Sequence, residues 1–229
     1  KMQNWYSQSR QIRVFAALSR DDLPFVQAQV LLAEIMKKMP DTHPLKNKAY
    51  YAGGSVRDEL LGQVPKDLDI VVEYPQGGIV FAQYLSQLLR LREPVIYPTF
   101  GTAQLQLKNL SFDGTEYNVD GVDLEFVQTR KEQYHEESRK PETSFGTLQQ
   151  DVERRDFTVN SLLKKLDSGP SLSIDDARAK VNSGDILDLT GRGISDMEAG
   201  IIRTPLDPNI IFSEDPLRMM RAIRFSVRY

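Results

Sequence analysis

The stretch from Ala52 to Val72, AGGSVRDELLGQVPKDLDIVV, constrains this chain more than any other. Tyr50, Tyr51 and Ala52 read as a strand arriving at Gly53-Gly54, where missing side chains permit a sharp turn and close approach of a phosphate. Ser55 is placed to cap a helix over 56–61 whose N-terminus suits an anion, and Arg57 in its first turn adds a fork of donors. Asp67 and Asp69 follow, two apart on a predicted strand, so both point to one face while Leu68 and Ile70 point to the other. Two carboxylates side by side repel unless a cation lies between them, and Mg²⁺ is the oxygen-seeking candidate. Taken singly, a Gly-Gly is an ordinary turn and an Asp-x-Asp an ordinary solvated edge. In strand–turn–helix–strand order they point to phosphoryl or nucleotidyl transfer.

A chain of 229 residues can bury a real core, as one domain plus an extension. Its net charge of −3 advertises no global attraction for nucleic acid, so any RNA contact must use a local patch. The sequence has no cysteine, which removes disulfides and thiolate metal sites and fits a reducing, cytoplasmic setting. His43 and His135 are too few for a histidine metal cluster. No apolar run approaches membrane-spanning length, and no signal-peptide pattern is visible. The first residue is Lys1 and Tyr229 falls inside a helical pattern, so both ends read as cut.

Residues 1–48 read as a helical extension. Its amphipathic helix opens after Asp21-Asp22, turns Val26, Val30, Leu31 and Ile35 inward and ends near Pro40, with packing against the rest of the chain as its expected job. Farther on, Gly77-Gly78 launch a helix running to Arg90, and without acids or bases beside them they read as a plain turn. Strands are expected over 94–97, 102–107 and 121–130. In the last, Asp123 and Glu125 share a face opposite Leu124 and Phe126, and either acid could join the Asp67–Asp69 pair. Residues 131–150 are polar, charge-mixed and short of apolar anchors, and read as a mobile surface loop with His135 solvated. Turns and short strands are expected over 167–190. Ser173-Ile174 and Ile186-Leu187 are the strand cores there, and Asp175-Asp176 a structural pair in a loop.

Two basic segments remain. If RRDFTVNSLL, from Arg154, is helical, it buries Phe157 and Leu162 and aligns Asp156 with Asn160. Arg154, Arg155 and Asp156 then either meet a triphosphate and a ribose hydroxyl or form an Arg-rich helix cap. FSEDPLRMMRAIRFSVRY reads as one helix starting near Ser213 and Pro216, with Leu217, Met220 and Ile223 facing the core. Asp215, Arg218, Arg221 and Arg224 recur every three residues around its other side. Such a stripe is usually a solvated face. Led by an aspartate, it also complements the amine donor and ring-nitrogen acceptor of cytosine and adenine, which uracil and guanine reverse.

GGSVRD, DLD, LEFVQTR, RRDFTVNS and EDPLRMMRAIRF, in this order, resemble the class II tRNA nucleotidyltransferase and bacterial poly(A) polymerase family over roughly 49–228. The resemblance implies an α+β fold. A nucleotidyltransferase (polymerase beta-like) head with a mixed sheet would span 49–166, followed by a helical neck region over 167–229. It implies that Asp67 and Asp69 hold Mg²⁺, with Glu125 rather than Asp123 as third carboxylate. Gly54, beside Gly53, and Arg57 would bind the triphosphate, and Arg155 and Asp156 would contact phosphate and ribose. Asp215 and Arg218 would read C or A, supported by Arg221 and Arg224, and 131–150 would be the family's flexible loop. The implied activity moves CMP and AMP from CTP and ATP to the 3′ end of tRNA and releases pyrophosphate. Poly(A) addition, or a non-catalytic RNA- or nucleotide-binding module, are the competing readings. Family members usually continue into helical body and tail domains that grip the tRNA, so a sequence ending at Tyr229 is expected to be either a fragment or an enzyme without that grip.

Overall fold

A computed structural model describes residues 18–135 and 138–228. The chain opens with helix α1 (Leu23–Lys38), strand β1 (Ala49–Ala52), α2 (Gly54–Leu60), β2 (Leu68–Val72) and α3 (Gly77–Leu88). Next come β3 (Val95–Tyr97), β4 (Thr102–Gln106), the small hairpin β5 (Leu110–Phe112) and β6 (Thr115–Tyr117), and β7 (Asp123–Gln128). A second hairpin, β8 (Arg130–His135) and β9 (Ser138–Phe145), leads into α4 (Leu148–Glu153), β10 (Leu163–Lys165), α5 (Ile174–Ser183) and β11 (Ile186–Leu187). Three helices follow: α6 (Gly193–Ala199), α7 (Pro208–Glu214) and α8 (Leu217–Arg228). Among the described residues no helix is long and apolar enough to cross a membrane.

Seven strands form one mixed sheet in the order β11-β10-β1-β2-β7-β4-β3. Only β2 and β7 run parallel; the other neighbours are antiparallel. Period-two alternation gives β2 and β7 two faces. Leu68, Ile70, Leu124 and Phe126 are buried, while Asp69 and Glu125 are exposed. Val26, Leu31, Leu32, Ile35 and Met36 of α1 are buried, and all but Val26 belong to the main core, with Phe81, Ala82 and Leu85 of α3. The helix α3 comes so close that a Cβ on Gly78 would lie 2.7 Å from the Phe126 carbonyl oxygen. The second Gly-Gly therefore serves a helix–sheet contact as well as a turn. On the acidic face, Ala52, Val71 and Leu163 pack with Val152 and Leu148 of α4, which sets α4 beside Asp69.

A buried lysine stitches these layers. Lys164 on β10 donates to Glu59 of α2 at 2.6 Å, to Gln29 of α1 at 2.8 Å and to the Gly169 carbonyl at 3.0 Å. Lys164 has no exposed surface, and Glu59 keeps 3%. A charge so enclosed needs this paired, fully donated geometry to be tolerated.

Several expectations are corrected. Residues 131–150 are not an open loop: they hold the β8–β9 hairpin and the start of α4, whose Thr147–Gln150 capping box closes the helix entrance. The side chain of His135 lies outside the described residues. Ser173 is no strand core; its hydroxyl accepts from the Asp176 amide at 3.1 Å and caps α5, which puts Asp175 and Asp176 in a first helical turn. Arg154–Leu163 is not an α-helix. The helix stops at Glu153, and a 3₁₀ turn over Thr158–Asn160 feeds β10. The final segment breaks at Asp215 into α7 and α8, so Ser213 lies inside α7 rather than at a helix start. Leu217, Met220 and Ile223 are 69%, 64% and 59% exposed, not core-facing. Where α8 meets the head, the Arg154 carbonyl accepts from Arg218 and Asp156 accepts from Arg221; Arg218 is buried, Arg221 half exposed and Arg224 exposed.

Candidate functional site

The turn after β1 is built on Gly53, whose φ of 68° is open to glycine and strained for other residues. Its N–H donates to the Leu162 carbonyl at 3.1 Å, and a Cβ there would stand 3.3 Å from Arg155 Nη1. Gly53, not Ser55, occupies the N-cap of α2, and the Ser55 hydroxyl donates back to the Ala52 carbonyl at 3.0 Å. The helix thus starts two residues earlier than read from Ser55, with no side-chain oxygen over its first amides. Arg57 is 5% exposed and donates through Nε and Nη2 to Asp58 Oδ1 and through Nη1 to Asn160 Oδ1 at 2.5 Å.

Asp67 directly precedes β2, and Asp69 is the second residue in it. Across the parallel pair Asp69 stands in register with Glu125, whereas Asp123 is matched to Gln106 on the antiparallel β4. Residues in register on neighbouring strands share a face, so Glu125 is the acid beside Asp69. The Asp69 carboxyl is pushed up to about 6, first by lost hydration among the surrounding walls, then by Glu125 and Asp67, with Arg155 opposing. Among the described residues no group of three or more acids or histidines is gathered tightly enough to hold a metal ion.

The C-terminal end of α4 delivers the basic side. Asp151, fully buried, accepts from Arg154 through Oδ1 at 2.6 Å and from Arg155 through Oδ2 at 2.8 Å. Burial alone would raise its carboxyl, but Arg155 and Arg154 outweigh that and hold it below the usual range. Arg155 Nη1 also donates to the Asn160 carbonyl at 3.3 Å. Asp156 accepts from the Asn160 amide through Oδ1 at 3.1 Å and from Arg221 Nε through Oδ2 at 2.7 Å. Asp156 and Asn160 therefore do meet, although the backbone between them is not α-helical.

At the α7–α8 break, Asp215 Oδ1 accepts from the Leu217 amide at 3.0 Å and caps α8. Arg218 is 7% exposed; Nη1 donates to the Ile211 carbonyl and Glu214, and Nη2 to the Arg154 carbonyl at 3.0 Å. One open cleft of about 420 Å³ joins Gly53, Gly54, Arg57, Asp69, Arg154, Arg155, Asp156, Asn160, Asp215, Arg218 and Arg221. Asp67 and Glu125 are exposed outside its lining, as is Arg224, which points elsewhere than the rest of its stripe. Phe225 also lines the cleft. Its ring meets Phe157 edge-on at 5.6 Å and lies under Arg57 and Arg221 at 5.5 and 5.7 Å. Sequence reasoning missed Phe225 and Asp151; the first follows Arg218 and Arg221 at helical spacing, which is the signal that could have found it.

A mixed sheet that presents Asp69 to a glycine turn and to arginines of two further segments across one cleft matches the head fold of a nucleotidyltransferase. The chain belongs to the family described as Poly A polymerase head domain, whose profile matches residues 49–203. It is 34% identical over 185 residues to the mitochondrial CCA tRNA nucleotidyltransferase of Saccharomyces cerevisiae, covering 77% of this chain and 30% of that protein. It is 36% identical over 178 residues to the CC-adding tRNA nucleotidyltransferase of Deinococcus radiodurans, covering 77% and 39%. A solved apo structure of a CCA-adding enzyme superposes with a TM-score of 0.62 at 30% identity, covering 89% of this chain and 40% of that one. The chain thus spans well under half the length of these relatives.

Proposed function

We propose that this chain is the catalytic head of an enzyme that transfers CMP and AMP from CTP and ATP to the 3′ end of tRNA, as CCA, CC or A addition, releasing pyrophosphate. The observation that carries the reading is the single cleft in which Gly53, Asp69, Arg155, Asp156, Asp215 and Arg218 meet. In this reading Gly53, Gly54, Arg57 and Arg155 take the triphosphate, and Asp156 the ribose hydroxyls. Asp215 and Arg218, backed by Arg221, read the amine and ring nitrogen of C or A, and Arg224, outside the cleft, is left without that duty. We assign phosphate and acid duties to residues 49–166, base reading to 167–229 and packing to 1–48. The boundary at 166 divides duties rather than the sheet, which runs on to Leu187.

Asp67 and Asp69, with Glu125 in register beside Asp69, fit a divalent cation by their chemistry: their oxygens are hard donors, and Glu125 and Asp67 add to the burial that raises the Asp69 carboxyl. Mg²⁺ held there would neutralise charge on the α-phosphate and help ionise the attacking hydroxyl. The RNA 3′ oxygen forms the new bond to α-phosphorus as the bond to pyrophosphate breaks. The chain's own contribution is to orient the phosphates and neutralise the leaving group with Arg57 and Arg155.

Full-length protein given tRNA transcripts ending before CCA, with each labelled nucleotide in turn, should add C, A or both and refuse UTP and GTP. Long A tracts would make it a poly(A) polymerase, and nucleotide binding without transfer would make it a binding module. We also propose a cytoplasmic location, on the cysteine-free sequence. The yeast relative is mitochondrial by name, and fractionation of cells expressing the full-length protein decides between the two.

A further inference from the structure

Asp69 divides its face of the sheet into two sides. On one side of β2 stand β1 and β10, and the residues proposed to take the phosphates belong there. Gly53 follows β1, and α4, which leads into Arg155, packs over Ala52 and Leu163. On the other side stand β7, β4 and β3. Register carries one row across them: Asp69 is matched to Glu125, Glu125 to Gln104, and Gln104 to Val95. Tyr97, two residues beyond Val95, shares that face. Ile96 between them packs against the main core, and the Tyr97 hydroxyl lies 3.5 Å from Gln104 Oε1. Val95 is 57% and Tyr97 44% exposed, and Gln104 is exposed as well. Val95, Tyr97 and Gln104 have no duty in the reading above.

In an in-line displacement the attacking oxygen arrives opposite the leaving group. With pyrophosphate leaving into the cleft beside Arg57 and Arg155, the RNA 3′ oxygen comes to Asp69 from the β7 side. The terminal ribose and base then lie over β4 and β3. Neighbouring strands are about 5 Å apart, so β3 stands about 10 Å beyond Glu125, within reach of a single nucleoside. The chemistry of the face changes in the same direction. Asp69 and Glu125 repel a phosphodiester, whereas Gln104, Val95 and Tyr97 are uncharged and include an exposed ring. We propose that Tyr97 stacks on the 3′-terminal base of the acceptor RNA, with the terminal ribose over Gln104. Stacking on an aromatic ring tolerates any base. That tolerance suits an acceptor whose last base changes from one addition to the next, and a phosphate grip here would have to work against the neighbouring acids. The inference rests on the RNA-extending activity proposed above.

The test uses full-length protein and a tRNA acceptor ending before CCA, with 2-aminopurine as its last base, a fluorophore that dims when it stacks. Wild type should bind this acceptor and quench it. Tyr97→Ala should weaken acceptor binding about tenfold and abolish the quenching, while Tyr97→Phe, which keeps the ring, should retain both. Affinity for CTP and ATP without RNA should stay unchanged in both variants, because Tyr97 lies outside the lining of the cleft. In addition assays the loss in Tyr97→Ala should fall on the KM for RNA. A wild type that binds the acceptor without quenching it overturns the inference, and so does a Tyr97→Ala protein that binds and quenches as wild type does. Equal loss of acceptor, CTP and ATP in Tyr97→Ala also overturns it. If Tyr97→Ala breaks up a dimer in sedimentation and leaves acceptor binding intact, the patch belongs to a second copy of the chain and the inference fails. A wild type that transfers no nucleotide to any RNA 3′ end overturns the activity proposed above, and this inference with it.

Discussion

Asp69 shows how a single side chain reports on its site. Its carboxyl is raised from 3.8 to about 6, so between those values the folded chain binds a proton that the unfolded chain has released. The group favours folding below pH 3.8 and loses that contribution as pH rises through 6, leaving a penalty at neutral pH. Asp69→Asn removes the penalty. In EDTA its melting temperature should exceed wild type at pH 7 and converge with it below about pH 4, while nucleotide addition is lost. Melting curves across that range, paired with an addition assay, check both halves. Much at this scale was legible: Gly53, Arg57, Asp69 and the Asp156–Asn160 pair stood out by type and spacing, and they line one cleft. Ser55 was misread because its hydroxyl could equally cap forward or donate back to Ala52, and local sequence does not distinguish the two.

Among the elements, α8 teaches most. Its apolar row was visible in the sequence, but a stripe shows only that two faces differ, not which one the rest of the chain covers. Here the covered face carries Arg218 and Phe225. In the 229-residue chain, Met220→Ser and Ile223→Ser should each change stability by no more than about 0.5 kcal/mol. Phe225→Ala, which strips the edge contact with Phe157 and the ring beneath Arg57 and Arg221, should cost about 1–3 kcal/mol. Urea melts of the three variants decide, and equal losses would contradict the observed orientation. The β8–β9 hairpin escaped notice for a related reason. Hydrophobic patterning finds apolar anchors, and the described anchor of this hairpin is Glu132 among arginines.

For the whole molecule, the Lys164 cluster ties α1, α2 and β10 into one body. Lys164→Met leaves Glu59 buried without its cation and should cost about 3–5 kcal/mol, whereas Lys164→Met with Glu59→Gln should recover a large part. A double-mutant cycle in denaturant melts measures the coupling. None of this was legible beforehand, because Gln29, Glu59 and Lys164 meet only after distant segments fold together. The mixed sheet was anticipated, yet the choice between Asp123 and Glu125 stayed open: parity along one strand is local, and register between strands is not. That register carries a consequence for folding. The parallel pairing of β2 with β7 joins positions 69 and 125 across an intervening helix and several strands. Closing so long a segment is slow and cannot be rewarded until its contents have a place in the sheet. A peptide bearing only the glycine turn and the Asp-Leu-Asp triplet would therefore lack half of its acidic face, and refolding chains should bring Asp69 and Glu125 together late, with global structure rather than ahead of it.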